Sequence, residues 1–273
     1  MLIWLAGILV LGYVAIVVAL FFYQRQLLYF PDPRRPQLGD LAALGVREVQ
    51  IVTADGLSLL GWYRPPEEGR PVILYFHGNG GHIGYRAERV RRFAEGGFGL
   101  LTPEYRGYGG NPGSPSEAGL FADGTAALEF LSSERIDPRR LVLYGESLGS
   151  GIAVYLAAQH EVAAVILEAP YTSIAAVAQY HYPFVPVALL LRDNFNSLSR
   201  IGRAKAPVLI VHGGRDPVVP ARFSKALYAA APEPKEIWFA ADAGHEDLAG
   251  YGALDAAFDF IARRAGFQPG QPR

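Results

Sequence analysis

LVLYGESLGSGIAVYLAAQ, residues Leu141–Gln159, is the stretch on which the fold of this chain is read. Four apolar residues, Leu141–Tyr144, have the composition of a buried strand. A helical pattern begins at Leu148, and between them lies Gly145-Glu146-Ser147-Leu148-Gly149. A G-x-S-x-G run at a strand-to-helix junction makes a tight, strained turn that pushes the serine hydroxyl out at its tip. The two glycines are needed because a side chain there would strike the neighbouring elements. The helix amino terminus adds partial positive charge beside the hydroxyl. As a bare pattern the motif is weak; its position between LVLY and IAVYLAAQ is what gives it meaning.

Working outward, short apolar runs alternate with helical ones. Val46–Thr53 and Leu57–Arg64 flank Ala54-Asp55-Gly56, an Asp-Gly hairpin signal. Pro71–Phe76, Phe98–Thr102, Ala163–Leu167, Pro207–Val211 and Ile237–Ala240 read as further strands. Runs without polar alternation are buried on both faces, as in a parallel sheet covered by helices. Helices are expected around Gly84–Glu95, Ser116–Leu131, Leu148–Gln159, Ala221–Ala230 and Glu246–Ala265. The alternation gives a doubly wound α/β domain over residues 46–268.

Ligands of such sheets bind beyond the carboxyl ends of the strands, so the residues just after each strand carry the chemistry. They include His77-Gly78-Asn79-Gly80-Gly81, the Ser147 turn, His212-Gly213-Gly214-Arg215-Asp216 and Ala241-Asp242-Ala243-Gly244-His245. A serine hydroxyl needs a base within hydrogen-bond reach. Of the six histidines, His245 alone lies in the last strand-to-helix loop. The base needs an acceptor that fixes its tautomer. Asp216 suits that role, with Asp242, Asp247 and the more distant Asp193 as rivals. The oxyanion would be met by the N–H of Leu148 and by the HGNGG turn, through Asn79 or, second, Gly80. Tyr105, Arg106 and Tyr108 are candidates for the mouth of the site, although an Arg106–Glu104 pair is an equal reading. Glu146 is expected to be held by backbone or arginine contacts. No metal ligand set and no dinucleotide fingerprint is read, so neither metal nor cofactor is expected.

Leu2–Phe22 contains no charged residue and is long enough to cross the ~30 Å hydrocarbon core. No basic residue precedes it and no A-x-A site follows, which favours an uncleaved anchor over residues 1–23. Residues 24–45, with Pro31, Pro33, Pro36 and Gly39, read as a linker. Arg25, Arg34 and Arg35 follow the span, so the positive-inside rule places the catalytic domain on the cytoplasmic side of a single-pass membrane protein.

Of the 273 residues, 25 are Lys or Arg and 26 are Asp or Glu, and 51% are apolar. That balance lacks the basic face of a nucleic-acid binder. The absence of cysteine removes disulfides, thiol nucleophiles and cysteine metal sites.

Taken together, QLLYFP after the span, HGNGG, EYRGYGGNPGSPSEAGL, GESLGSG, EAPYTS and HGGRDPVVP resemble the α/β-hydrolase superfamily, in particular a membrane-anchored branch of bacterial and eukaryotic serine hydrolases. The resemblance implies a mostly parallel sheet with helices on both faces, a Ser147–Asp216–His245 triad, and acyl-bond hydrolysis without a cofactor. It also implies an acyl substrate, whether a small molecule, a lipid-like ester or an acylated protein, since some eukaryotic relatives remove fatty acyl groups from proteins. Glu104 stands where relatives usually carry Asp, and GGNPGSP replaces a more charged run; both bear on substrate detail. The expected activity is therefore a carboxylesterase or thioesterase. A serine peptidase of the aminopeptidase or prolyl-oligopeptidase type is the alternative, although no propeller or large cap insertion is read. A catalytically silent anchored scaffold is the remaining one.

One segment breaks the alternation. Tyr182–Leu191, YPFVPVALLL, is apolar and uncharged. It is expected to form a low lid beside Ser147, with Tyr182, Phe184 and Leu190 offering acyl carbons a dry surface.

Overall fold

The Asp55-Gly56 turn folds as its residues require. Gly56 takes a φ of 86°, a backbone state open to glycine, and its N–H donates to the Thr53 carbonyl at 2.8 Å. The computed structural model describes residues 1–265; the expected domain end at residue 268 lies outside the described residues. The strands, in chain order, are β1 (Phe30–Pro31), β2 (Arg47–Val52), β3 (Ser58–Arg64), β4 (Val72–Phe76), β5 (Gly80–Gly81), β6 (Gly99–Pro103), β7 (Leu141–Glu146), β8 (Ala164–Glu168), β9 (Val208–Gly213) and β10 (Lys235–Ala240). Eight of them form one sheet in the order β10-β9-β8-β7-β4-β6-β3-β2. The β2–β3 hairpin and the β3–β6 pair are antiparallel; the remaining pairs are parallel. Strands β7 and β9 run two residues beyond their apolar cores, into the motifs that follow. The ladder carries Glu146 opposite Glu168 and Gly213 opposite Ala240.

The helices are α1 (Leu2–Leu28), α2 (Ala87–Glu95), α3 (Glu117–Ser133), α4 (Leu148–Ala157), α5 (Ile174–His181), α6 (Val187–Leu190), α7 (Leu198–Ile201), α8 (Ala221–Ala230) and α9 (Ala253–Ala265). Alternate strand residues face opposite sides. Leu74, Phe76, Leu143 and Ile210 pack with Leu120, Ile152 and Leu227 of α3, α4 and α8. Ile73, Tyr75, Val142 and Val211 pack with Val90, Phe93, Phe260 and Ile261 of α2 and α9. Helix α9 begins at Ala253 rather than near Glu246, because Ala241–Gly252 is spent on the loop that carries His245.

The amino-terminal region departs most from expectation. Helix α1 buries none of its residues and is long and apolar enough to cross a membrane. It does not give way to a linker at residue 24 but stays helical to Leu28. Tyr29, Leu41 and Val46 are buried, and β1 pairs in parallel with β5, Phe30 opposite Gly80 and Pro31 opposite Gly81. The Arg25 guanidinium grips the buried Asp193 carboxylate through two hydrogen bonds, at 2.7 and 3.1 Å. These contacts fasten the end of α1 to the domain.

Candidate active site

The turn between β7 and α4 sets Ser147 at φ 48° and ψ −115°, the strained state that the motif requires. The glycines on either side have no room for a side chain. A Cβ on Gly145 would lie 2.5 Å from the Gly149 carbonyl oxygen, and one on Gly149 would lie 2.1 Å from that of Phe76. Both neighbours are backbone and cannot swing away. Gly149→Ala is therefore expected to exceed the ~1–3 kcal/mol of ordinary overpacking and to leave little soluble, folded protein, read by expression and thermal melting.

Ser147 is held by its backbone. Its N–H donates to the Glu168 carbonyl at 2.8 Å, and its carbonyl accepts from Ser150 N–H at 2.9 Å. The hydroxyl is left to donate to His245 Nε2 at 3.0 Å. His245 Nδ1 in turn donates to Asp216 Oδ2 at 2.7 Å. The other Asp216 oxygen accepts the N–H groups of Val218 and Val219, each at 2.8 Å. Serine, histidine and aspartate thus come together from three loops 98 and 29 residues apart.

Electrostatics follow from this geometry. Burial opposes charge on His245, but the Asp216 hydrogen bond and negative charge outweigh it, so the imidazole pKa is raised above 6.5. Burial likewise opposes charge on Asp216, yet its bonds to His245, Val218 and Val219 lower its pKa. The carboxylate is ionised wherever the histidine titrates. The rival acids are engaged elsewhere: Asp242 pairs with Arg215 at 2.7 Å, Asp247 accepts Gly244 N–H at 2.7 Å, and Asp193 holds Arg25. His212 is buried, its pKa lowered by burial, and it donates to the Val219 carbonyl at 2.9 Å, bracing the Asp216 loop.

The HGNGG turn lies against Ser147: a Cβ on Gly78 would be 3.6 Å from the Ser147 Cβ. Leu148 opens α4, so its N–H belongs to the first turn, where helix donors lack intrahelical acceptors. Asn79 is fixed from several directions. Its carbonyl accepts Phe30 N–H at 3.0 Å and the Tyr108 hydroxyl at 2.8 Å, and its side chain donates to the Leu28 carbonyl at 2.9 Å. His77, at the start of the turn, is buried against Glu104, Nε2 to Oε1 at 3.1 Å. Glu104 also accepts Ile83 N–H at 2.8 Å.

Several expected pocket residues are elsewhere. Tyr105 is fully buried, not at the mouth; it stacks on His77 at 4.1 Å and donates to the His77 carbonyl at 2.8 Å. Arg106 pairs with Asp123 at 2.7 Å and Asp55 at 2.8 Å, and Glu104 is not among its partners. A cavity of about 840 Å³ opens at His245, between Asn79–Gly81, Tyr85 and Glu246, and Tyr182, Phe184 and Leu190 do not line it. Tyr182 and Leu190 instead line an apolar groove of about 130 Å³ shared with Leu20, Phe21 and Leu27 of α1. Phe184 is 87% exposed. The expected lid does not form beside Ser147: the surface that takes this apolar segment is α1, through contacts 171 and 166 residues apart in sequence.

Beneath the cavity lies a charge network that the sequence signalled only at Glu146. That carboxylate accepts from Arg86 at 2.8 Å and from Tyr75. Although burial opposes its charge, Arg89 and Arg86 hold its pKa down to about 2. Arg89 continues to Glu168 at 2.6 Å. Among the described residues no cluster of His, Cys, Asp and Glu is arranged to hold a metal ion.

The chain is similar in sequence and fold to known proteins. The family model for serine aminopeptidases, S33, matches residues 67–199. An uncharacterised protein of Mycobacterium tuberculosis is 44% identical over 249 residues, covering 89% of this chain and 88% of its own. The alpha/beta hydrolase domain-containing protein WAV2 of Arabidopsis thaliana is 32% identical, covering 82% and 80%. Among solved structures, an esterase of Pyrococcus furiosus has a TM-score of 0.71 at 18% identity, covering 88% of this chain and 98% of that one.

Proposed function

The chain belongs to the α/β-hydrolase superfamily, and from that premise we propose a serine hydrolase that cleaves carboxylic ester or thioester bonds through an acyl-enzyme. The observation that carries this reading is the unbroken contact from Ser147 Oγ through His245 to Asp216, at 3.0 and 2.7 Å. Ser147 Oγ attacks the substrate carbonyl and passes its proton to His245 Nε2. Asp216 holds the ring and stabilises the imidazolium. The Leu148 N–H and the turn at Asn79 and Gly80 meet the developing oxyanion. His245 returns the proton to the leaving alcohol or thiol, and a water repeats the sequence to free the acid. Substrate is an acyl compound that reaches this site from water or from a lipid surface. Helix α1 is read as the anchor and, from the arginines that follow it, the domain as cytoplasmic.

A second reading, a serine aminopeptidase, is favoured by the description of the matched family model. Glu246, beside His245 on the cavity wall, would suit a peptide amino terminus, whereas Glu146 and Glu168 there are held by Arg86 and Arg89. Turnover of p-nitrophenyl butyrate with aminoacyl p-nitroanilides left intact is expected; the opposite order would replace the ester reading with this one.

The pH profile follows from the histidine. Its neutral form is the base, and its pKa is raised above 6.5. Ester kcat/KM should therefore be flat at alkaline pH and fall about tenfold per unit below a limb that lies above 6.5. A rate unchanged down to pH 4 would contradict a histidine base.

A further inference from the structure

Helix α1 and the segment between α5 and α6 run side by side. The Tyr13 hydroxyl, midway along α1, donates to the Phe184 carbonyl at 2.8 Å. At the other end, Gln24 donates to the Leu190 carbonyl at 3.2 Å and accepts Arg192 N–H at 2.7 Å. Gln24 lies eleven residues beyond Tyr13 on the helix, about 16 Å along the axis. That is half of the ~30 Å hydrocarbon core. A bilayer crossed by α1 therefore reaches the level of Phe184.

The segment has the chemistry for that depth. Residues 182–191 carry no charge, and Phe184 and Leu189 point away from the protein, 87% and 86% exposed. In hydrocarbon, backbone polar groups must find partners within the protein. Pro183 and Pro186 have no N–H. Of the eight remaining N–H groups, five, those of Tyr182, Val185, Val187, Leu189 and Leu191, donate to carbonyls within residues 178–187. Carbonyls at 182, 183, 184 and 190 accept from Gln179, Tyr13 and Gln24. Charge resumes abruptly where α1 leaves its apolar stretch: Arg192 lies 4.3 Å over the Phe21 ring, and Arg25 pairs with Asp193. These form a polar collar at one level.

We propose that Tyr182–Leu191 is a membrane-inserted hairpin. It enters the acyl-chain layer of one leaflet alongside α1, and seats the domain on the bilayer with the arginine collar at the headgroups. His181 at its base donates to the Val218 carbonyl at 2.9 Å, in the loop that carries Asp216. The Leu28 and Phe30 contacts tie the other flank to Asn79. Lipid contact thus flanks the candidate catalytic loops on both sides, and the substrate class is an acyl ester or thioester presented in a leaflet. The hairpin rests on the reading of α1 as a membrane span and is independent of Ser147 chemistry; the substrate class rests on the ester reading proposed above.

The chain has no cysteine, so a single one reports its own position. Full-length Phe184→Cys, Leu189→Cys, Ile16→Cys and Arg139→Cys proteins would each carry an NBD fluorophore in phosphatidylcholine nanodiscs with and without doxyl-labelled lipid. Ile16 lies on α1. Arg139, its side chain 88% exposed, precedes β7 at the opposite end of the sheet. Positions 184 and 189 should be quenched to within twofold of position 16, with position 139 unaffected. Quenching at 16 alone overturns the hairpin and leaves the anchor standing. Quenching at none of these positions overturns both, and in either case esterase turnover reports separately on Ser147.

Discussion

Ser147→Ala is expected to lower kcat on ester substrates by about 10⁴–10⁶, the loss seen when a nucleophile that acts with its base and acid as a unit is removed. The fold should survive. The hydroxyl donates only to His245, and the contacts that shape the turn are backbone, from Ser147 N–H to Glu168 and from Ser150 N–H to Ser147. Alanine has no greater difficulty than serine at a φ of 48°, so the melting curve should be unchanged or move slightly upward. A folded Ser147→Ala protein with undiminished turnover would remove the serine from the mechanism.

Asp216→Asn should cost about 10⁴ in kcat, for a reason written in the hydrogen bonds. Val218 and Val219 N–H groups both point at Oδ1, so an asparagine must keep its carbonyl oxygen there. Its NH₂ then faces His245 Nδ1, which is forced to accept. The ring proton moves to Nε2, and the nitrogen facing Ser147 can no longer take a proton. Loss of the Asp216 charge also removes the largest of the influences that raise the His245 pKa, so the acidic limb of residual activity should shift to lower pH. Near-normal turnover with an unmoved limb would mean that another acid supports the histidine.

Much of this site is local in sequence. The strand–elbow–helix of Leu141–Ala157 is visible because the glycines are demanded by backbone crowding within the motif itself, at Gly145 and Gly149. Asp216 and His245 are found by chain order and by their place after strands, since parallel sheets gather those ends together. Asp216 stands ahead of its rivals Asp242 and Asp247 by its place after the preceding strand, and in the structure the partners differ: Asp216 meets His245, Asp242 meets Arg215 and Asp247 meets Gly244 N–H.

The errors share a cause. Tyr105 reads as a residue of the site's mouth, yet its loop folds back so that its ring covers His77. The stretch after residue 23 looked like a linker because its prolines break regular structure. Those prolines shape a strap that pairs with Gly80 and Gly81. Residues Tyr182–Leu191 read as a lid because they break the alternation just before the Asp216 strand, where hydrolases of this fold place cap elements, whereas their partner is α1. Pairings across some 50 or 170 residues leave no trace in local periodicity; they are settled by which apolar and polar surfaces meet once the sheet has formed.

The most direct test of the central claim is covalent. A fluorophosphonate reacts with a serine made nucleophilic by its neighbours and leaves a phosphonyl group on its oxygen. Intact-mass and peptide mass spectrometry on the full-length protein should find one adduct, on the peptide bearing Ser147. The adduct should be absent from Ser147→Ala and slowed by several orders of magnitude in His245→Ala. No adduct on the folded wild-type chain, or an adduct on another serine with Ser147 untouched, would contradict the account.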